Sequence, residues 1–241
     1  MTTFEQIAGL MRSQATHRRL RHDPIDDDTV LAVLDLAARA PTSRPQRREF
    51  VVVRDPDVRH QLARSYRQGW SIYKRILRSR WSEDALLEDR QWESDHFEDV
   101  PVLVVTCLRG RRPLFPAIGA AAFYGAAFPA VQNLLLAAQA RGLGASATTL
   151  PLWSVWEARR TLGLPRSVTP VSVVALGWPR DPAAQNPPDQ NPPDQNPGAR
   201  GPAARGNSDT PTTPTGNVVH LDRFGHQPFR ARRDPDRSST A

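Results

Sequence analysis

Apolar positions along the chain switch repeatedly between a helical and a strand period. Val30, Val33, Leu34, Ala37 and Ala38 recur at helical spacing behind Asp26, a residue type that caps helix starts, and Ile25 and Val30 stand where a hydrophobic staple would close. This predicts a helix over about 27–39, ended by Pro41. The run "FVVV" at 50–53 reads as a strand, and Val58, Leu62, Tyr66, Trp70, Tyr73 and Ile76 mark a second helix over about 57–80. "VPVLVVTC" reads as a buried strand and the uncharged stretch from Ala117 to Ala140 as a buried helix, stopped by "GLG" at 142–144. "ASATTL" is a short strand, "SVWEARRTLGL" a small amphipathic helix and "VTPVSVVALGWP" the closing strand of the core. Helices and strands in alternation around one sheet point to an α/β or α+β sandwich.

After Arg180 the pattern breaks. "QNPPDQNPPDQNPG" is a tandem five-residue repeat too poor in apolar surface to offset its chain entropy. The expected organisation is a domain at 1–180, a disordered insertion at 181–215, a segment at 216–230 that docks back through "NVVHLDRFG", and a frayed tail at 231–241.

Composition changes this picture little. A formal charge of +7 permits nucleic-acid or anionic-lipid binding, but the positive charge is almost all arginine and is scattered, so no nucleic-acid role is expected. The stretch Ala117–Ala140 is long enough to span a bilayer, yet it is alanine-rich and holds Pro129, Gln132 and Asn133 near its middle. A core helix with satisfied buried amides is the expectation, and no membrane association. The single cysteine, Cys107, reads as a buried strand residue, and together with the lack of an apolar leader it points to the cytoplasm. The sequence holds no CxxC, HExxH, P-loop or G-x-S-x-G motif, and its six histidines lack metal-ligand spacing. No metal site and no catalytic side chain are expected; chemistry would come from a cofactor.

Four stretches, in order, resemble the FMN-dependent nitroreductase family, particularly its branch common in actinobacteria: "ATHRRLRHDPIDDDTVLAVLDLAARAPT" with "EFVVVRDP"; "PAVQNLLLAAQARGLG"; "ASATTLPLW" with "LGLPRSVTPVSVVALGWP"; and "VVHLDRFG". The resemblance implies an α+β fold, a nitroreductase-like sandwich with a central mixed sheet flanked by helices. It also implies a homodimer with FMN bound between subunits, and hydride transfer from NADH or NADPH through FMN to a nitro, quinone or related small-molecule acceptor. A flavin-poor paralogue serving as a binding or structural protein is the alternative.

Under this resemblance the opening basic run acquires a task. Its family counterpart grips the FMN phosphate, which places Gln14, Thr16 and Arg18 at the clamp, with Ala15 standing where the branch usually has arginine. Arg19 and Arg21 either join the clamp or are solvated or paired with Asp26 to Asp28. In the loop "PTSRPQRREF", Arg44 falls where asparagine is usual, Gln46 keeps the amide that approaches the flavin, and Arg48 replaces tryptophan. Arg44 either donates to the ring or fills the pocket. Ala147, Thr148, Thr149 and Leu150 would lie against the flavin, although the threonines also suit a plain edge strand. Late arginines that often complete the clamp are replaced by "TPTTPTG".

Overall fold

The computed structural model describes residues 3–41, 48–78, 84–110, 117–180 and 219–226. Five strands form one mixed sheet: β1 (Arg48–Val53), β2 (Val102–Arg109), β3 (Gly144–Thr148), β4 (Val168–Gly177) and β5 (Val219–Leu221), in the order β3-β4-β2-β1-β5. Every pairing is antiparallel except the parallel contact of β1 with β5.

Side chains alternate across this sheet and so divide the core in two. Phe50, Val52, Val102, Val104, Val174 and Leu176 face α2 (Asp27–Ala38) and α6 (Phe128–Ala140), where Val30, Leu34, Ala130 and Leu134 are wholly buried. Val51, Val53, Leu103, Val105, Val173 and Ala175 face α3 (Pro56–Arg78) and α7 (Val155–Thr161), packing on Leu62, Tyr66 and Trp70. The helix expected at 27–39 starts as its capping residue dictates: Asp26 accepts from the Thr29 N–H at 2.7 Å, which holds its carboxyl below the usual range, and Ile25 and Val30 are both buried.

Three expectations need correction. The uncharged stretch Ala117–Ala140 is not one helix. It is α5 (Ala117–Gly125) followed by α6, because Ala126 and Ala127 turn and Pro129 opens the second helix, the position where its missing N–H costs nothing. By length and composition Gly119–Ala140 could cross a membrane, yet the buried face of α6 is spent on the sheet and α2. Its amides are satisfied without being buried: exposed Gln132 donates to Gln14, and half-buried Asn133 donates to the Leu36 carbonyl. Finally, α1 (Thr3–Arg12) and α4 (Asp84–Asp95) have no counterpart among the elements expected from the sequence.

Of the segment expected to dock at 216–230, residues 219–226 are described, and β5 adds to the edge of β1. Asp222, the one non-glycine residue described with positive φ, at 57°, turns the chain so that its Oδ1 accepts from the N–H groups of Arg54 and Asp55 at 2.6 and 2.7 Å. Next to it His220 and Arg109 both donate to Glu49, a carboxylate only 1% exposed. Burial alone would raise the Glu49 pKa, but these two partners outweigh it and hold the group below its usual value. The proline repeat lies outside the described residues.

The Asp222 turn gives a direct test of how β5 is held. Asp222→Ala should cost about 1.5 kcal/mol in urea unfolding at neutral pH by stranding two backbone donors, and Asp222→Asn, which keeps an acceptor, should cost less.

Candidate functional site

The basic run crosses the end of the sheet. The His17 N–H donates to the Ala145 carbonyl at 3.0 Å, Arg21 N–H to Trp178 at 2.8 Å, and Arg180 N–H to Arg19 at 3.0 Å. The crossing is close enough to dictate residue type beneath it: a Cβ on Gly144 would lie 2.8 Å from the His17 Cβ, and one on its register partner Gly177 would lie 3.0 Å from the Leu20 Cβ. Burial lowers the His17 pKa, so this member of the run is neutral at neutral pH.

The arginines of the run dock on α4. Arg19 pairs with Asp89 at 3.1 Å and lies over the Trp92 ring, and Arg18 lies beside Glu93, one turn further on. Arg21 pairs with Asp23 at 3.3 Å, and Asp27 pairs with Arg54, so the expected partnership of Arg19 and Arg21 with Asp26 to Asp28 is replaced by these contacts.

Glu93 is the residue that the sequence did not announce. Only 3% exposed, its Oε1 accepts from Ser146 at 2.5 Å and its Oε2 from the Tyr66 hydroxyl at 3.1 Å, while Arg18 Nε stands 3.4 Å from Oε2. The last contact is electrostatic attraction without hydrogen-bond alignment, since Arg18 Nε has no hydrogen-bond partner. Burial pushes the Glu93 pKa up, and Ser146, Arg18 and Tyr66 offset that only in part. Tyr66 is pushed well above the ordinary phenol range by its own burial and by Glu93.

Ser146 and Thr148 share one face of β3, and beyond them a cavity of about 360 Å³ opens. Its walls are Ala147, Thr148, Thr149 and Leu150 from the end of β3, Phe128 and Val131 from α6, Tyr73 from α3, Arg90 from α4 and Ser172 from β4. Ser172 is 3% exposed and its hydroxyl has no hydrogen-bond partner among the described residues, an orphaned group of the kind that a bound ligand relieves.

Of the residues expected at a site, four therefore line one cavity: Ala147, Thr148, Thr149 and Leu150. Gln14 is tied to Gln132, Thr16 is exposed, and the Nη atoms of Arg18 bind no described residue. Arg44 and Gln46 lie outside the described residues. Arg48 is 9% exposed and donates to the carbonyls of Ala38, Ala40, Pro41 and Ala126, so it caps the end of α2, where carbonyls lack partners in the helix. Cys107 is fully buried, as expected of a strand residue, and burial raises its thiol far above the reactive range.

A model of the nitroreductase family matches residues 11–178. The chain belongs to the nitroreductase family. Solved structures share the fold at low identity. A nitroreductase family protein from Clostridium novyi NT superimposes with a TM-score of 0.61 at 14% identity, over 97% of this chain and 100% of its own. An oxidized iodotyrosine deiodinase bound to FMN and 3-iodo-L-tyrosine gives 0.61 at 21%, over 79% and 98%. A putative nitroreductase in complex with FMN from Desulfovibrio desulfuricans gives 0.55 at 20%, over 77% and 91%. The nitroreductase-like α+β fold expected from the sequence is thus the one observed.

The raised Glu93 pKa makes a pH prediction. A carboxyl whose folded-state pKa lies above its unfolded value favours the fold when protonated, so its contribution is complete below about 4.5 and is lost as pH rises through the folded value. Glu93→Gln, which keeps the Ser146 bond without the charge, should therefore raise the thermal midpoint relative to the native chain at pH 7.5, and the gap should close by pH 4.5.

Proposed function

We propose that this family member is an FMN-dependent oxidoreductase, and the observation that carries the reading is the cavity at the end of β3, joined to Arg18 through Ser146 and Glu93. Ser146, two residues before cavity-lining Thr148 on the same strand face, holds Glu93, and Glu93 stands beside Arg18. Ser146 and Thr148 are about 7 Å apart along the strand, so the chain of contacts from the cavity wall to Arg18 runs through Ser146 and Glu93. The residues fit the group: Arg18 Nη donors that bind no other described residue, for a phosphate, the exposed Thr16 hydroxyl two residues before it, small residues at Ala147 and Thr148 for a flat ring, and the Ser172 hydroxyl, unpartnered among the described residues.

Bound there, FMN would supply the redox chemistry, hydride transfer from NADH or NADPH to a nitro, quinone or related acceptor. The protein's own residues bind and orient. Arg18 holds charge at the phosphate end, and Leu150, Val131 and Phe128 keep water from the ring face. No side chain acts as nucleophile. The homodimer belongs to the same proposal: Phe4, Ile7 and Met11 on α1, Phe128 on α6, and Trp153 and Trp156 in the segment after β3 are all at least half exposed, apolar surface that a second copy would cover. We place the protein in the cytoplasm, in keeping with its single, buried cysteine.

One observation favours the flavin-free scaffold as a second reading: Glu93 already sits where it neutralises Arg18. Titration of the apo protein with FMN and with riboflavin separates the two. Low-micromolar FMN uptake is expected, and Arg18→Ala should weaken FMN by ~10 to 150-fold, the value of a lost charge-assisted phosphate contact, while leaving riboflavin unchanged. No uptake of either flavin, or an equal loss for both in the variant, contradicts the enzyme reading or the clamp respectively.

A further inference from the structure

A second cavity, about 410 Å³, lies between α3 and α4, away from the cavity at β3. Its α3 wall carries Arg67, Lys74 and Arg75, and its α4 wall Gln91, Ser94 and Asp95. Lys74 is the only lysine in the chain.

Charge here is unbalanced in a defined way. Arg67 pairs with Glu98 at 3.3 Å, and the Lys74 ammonium donates to the neutral Gln91 amide at 2.8 Å. Neither Lys74 nor Arg75 has an ion pair among the described residues. Asp95 is the one carboxylate among the described lining residues, and both its oxygens accept from Gln91 Nε2 at 2.9 and 3.1 Å. The Gln91 amide is itself fixed, because its Oε1 also accepts from the Trp70 indole at 2.9 Å. Ser94 is wholly buried in this wall and its hydroxyl has no hydrogen-bond partner among the described residues.

We propose that the α3–α4 cavity binds the pyrophosphate of a nucleotide, and that this nucleotide is the reductant, an assignment resting on the oxidoreductase reading above. The spread of charge selects the class. From Arg67 to Lys74 is about two helical turns, or ~10 Å, a span that one carboxylate leaves unfilled and a pair of linked phosphates does not. Cations in a cleft with low-dielectric walls also concentrate polyanions more strongly than the same charges on an open face. The link to the redox cavity is structural. Arg90 and Gln91 are consecutive on α4 and line the two cavities in turn, as do Tyr73 and Lys74 on α3, and the Trp70 and Tyr73 rings between them have centroids 6.3 Å apart. A dinucleotide held by its phosphates in one cavity has its nicotinamide within reach of the other.

The test has two arms on the full chain. In calorimetry of the apo protein, inorganic pyrophosphate and ADP should bind, Lys74→Gln and Arg75→Gln should each weaken both by about 10-fold, and Arg64→Gln, an equal charge loss at an exposed α3 position outside the cavity, should change nothing. Pyrophosphate should also protect Lys74 from acetylation by an amine-specific reagent, read by peptide mass without any variant. Absence of binding, equal effects of all three substitutions, or unprotected Lys74 overturns the site. In the flavin-loaded protein, Lys74→Gln and Arg75→Gln should raise KM for NADH or NADPH at unchanged kcat and FMN affinity, with no effect on a phosphate-free N-alkyl dihydronicotinamide. Pyrophosphate binding with unaltered KM overturns the assignment to the reductant. Failure to bind FMN at all defeats the oxidoreductase reading and with it that assignment, while calorimetry still decides the phosphate site.

Discussion

One carboxylate holds four distant parts of this chain together. Glu93, from α4, takes hydrogen bonds from Tyr66 on α3 and Ser146 on β3, and faces Arg18 from the segment that crosses the sheet end. A buried charge is tolerated only when its lone pairs are engaged, so the geometry of all three partners is constrained at once. The position of β3 relative to α3, and hence the shape of the cavity between them, follows from that constraint.

The protein solves the problem of buried charge differently at each of three places. Arg48 spends its guanidinium on backbone carbonyls at the end of α2 and α5 and has no carboxylate among its bonded partners, and burial lowers its pKa. Glu49, its neighbour on β1, is matched by the Arg109 guanidinium and a hydrogen bond from His220, which together hold its pKa below the usual value. Glu93 has one misaligned cation and two hydroxyls, and is the least compensated of the three. Uncompensated groups are common where ligands bind, and this one adjoins the candidate site.

Much of the fold was legible because apolar period is a local property. The cap at Asp26, the buried strands around Val52, Val104 and Val174, and the late return of an apolar run at Val219 all follow from alternation or spacing that a single stretch displays. What escaped was α4, whose buried face contains Glu93 and Ser94 in place of an apolar stripe, and with it went the partners of the basic run. The carboxylate neighbours of Arg18 and Arg19 were not legible because they lie some seventy residues away, on an element that hydrophobicity does not reveal. The strand-end residues Ala147 to Leu150 were legible through family resemblance, whereas the unpartnered hydroxyl of Ser172 is visible only once β4 is placed beside them. The break between α5 and α6 was signalled by Pro129, read too weakly against a long uncharged run.

The crossing of residues 17–21 over Gly144 and Gly177 also bears on the solution behaviour of the protein. β3 is the outermost strand on its side of the sheet, and the His17 amide occupies one of its outward carbonyls. An unguarded outer strand is a template for pairing with another chain, and bulky, charged cover is a common defence against it. The amino-terminal segment thus works as an edge guard as well as a docking strap, so that a truncated chain starting after Arg21 would keep most of its core and yet be prone to self-association into polymers through β3.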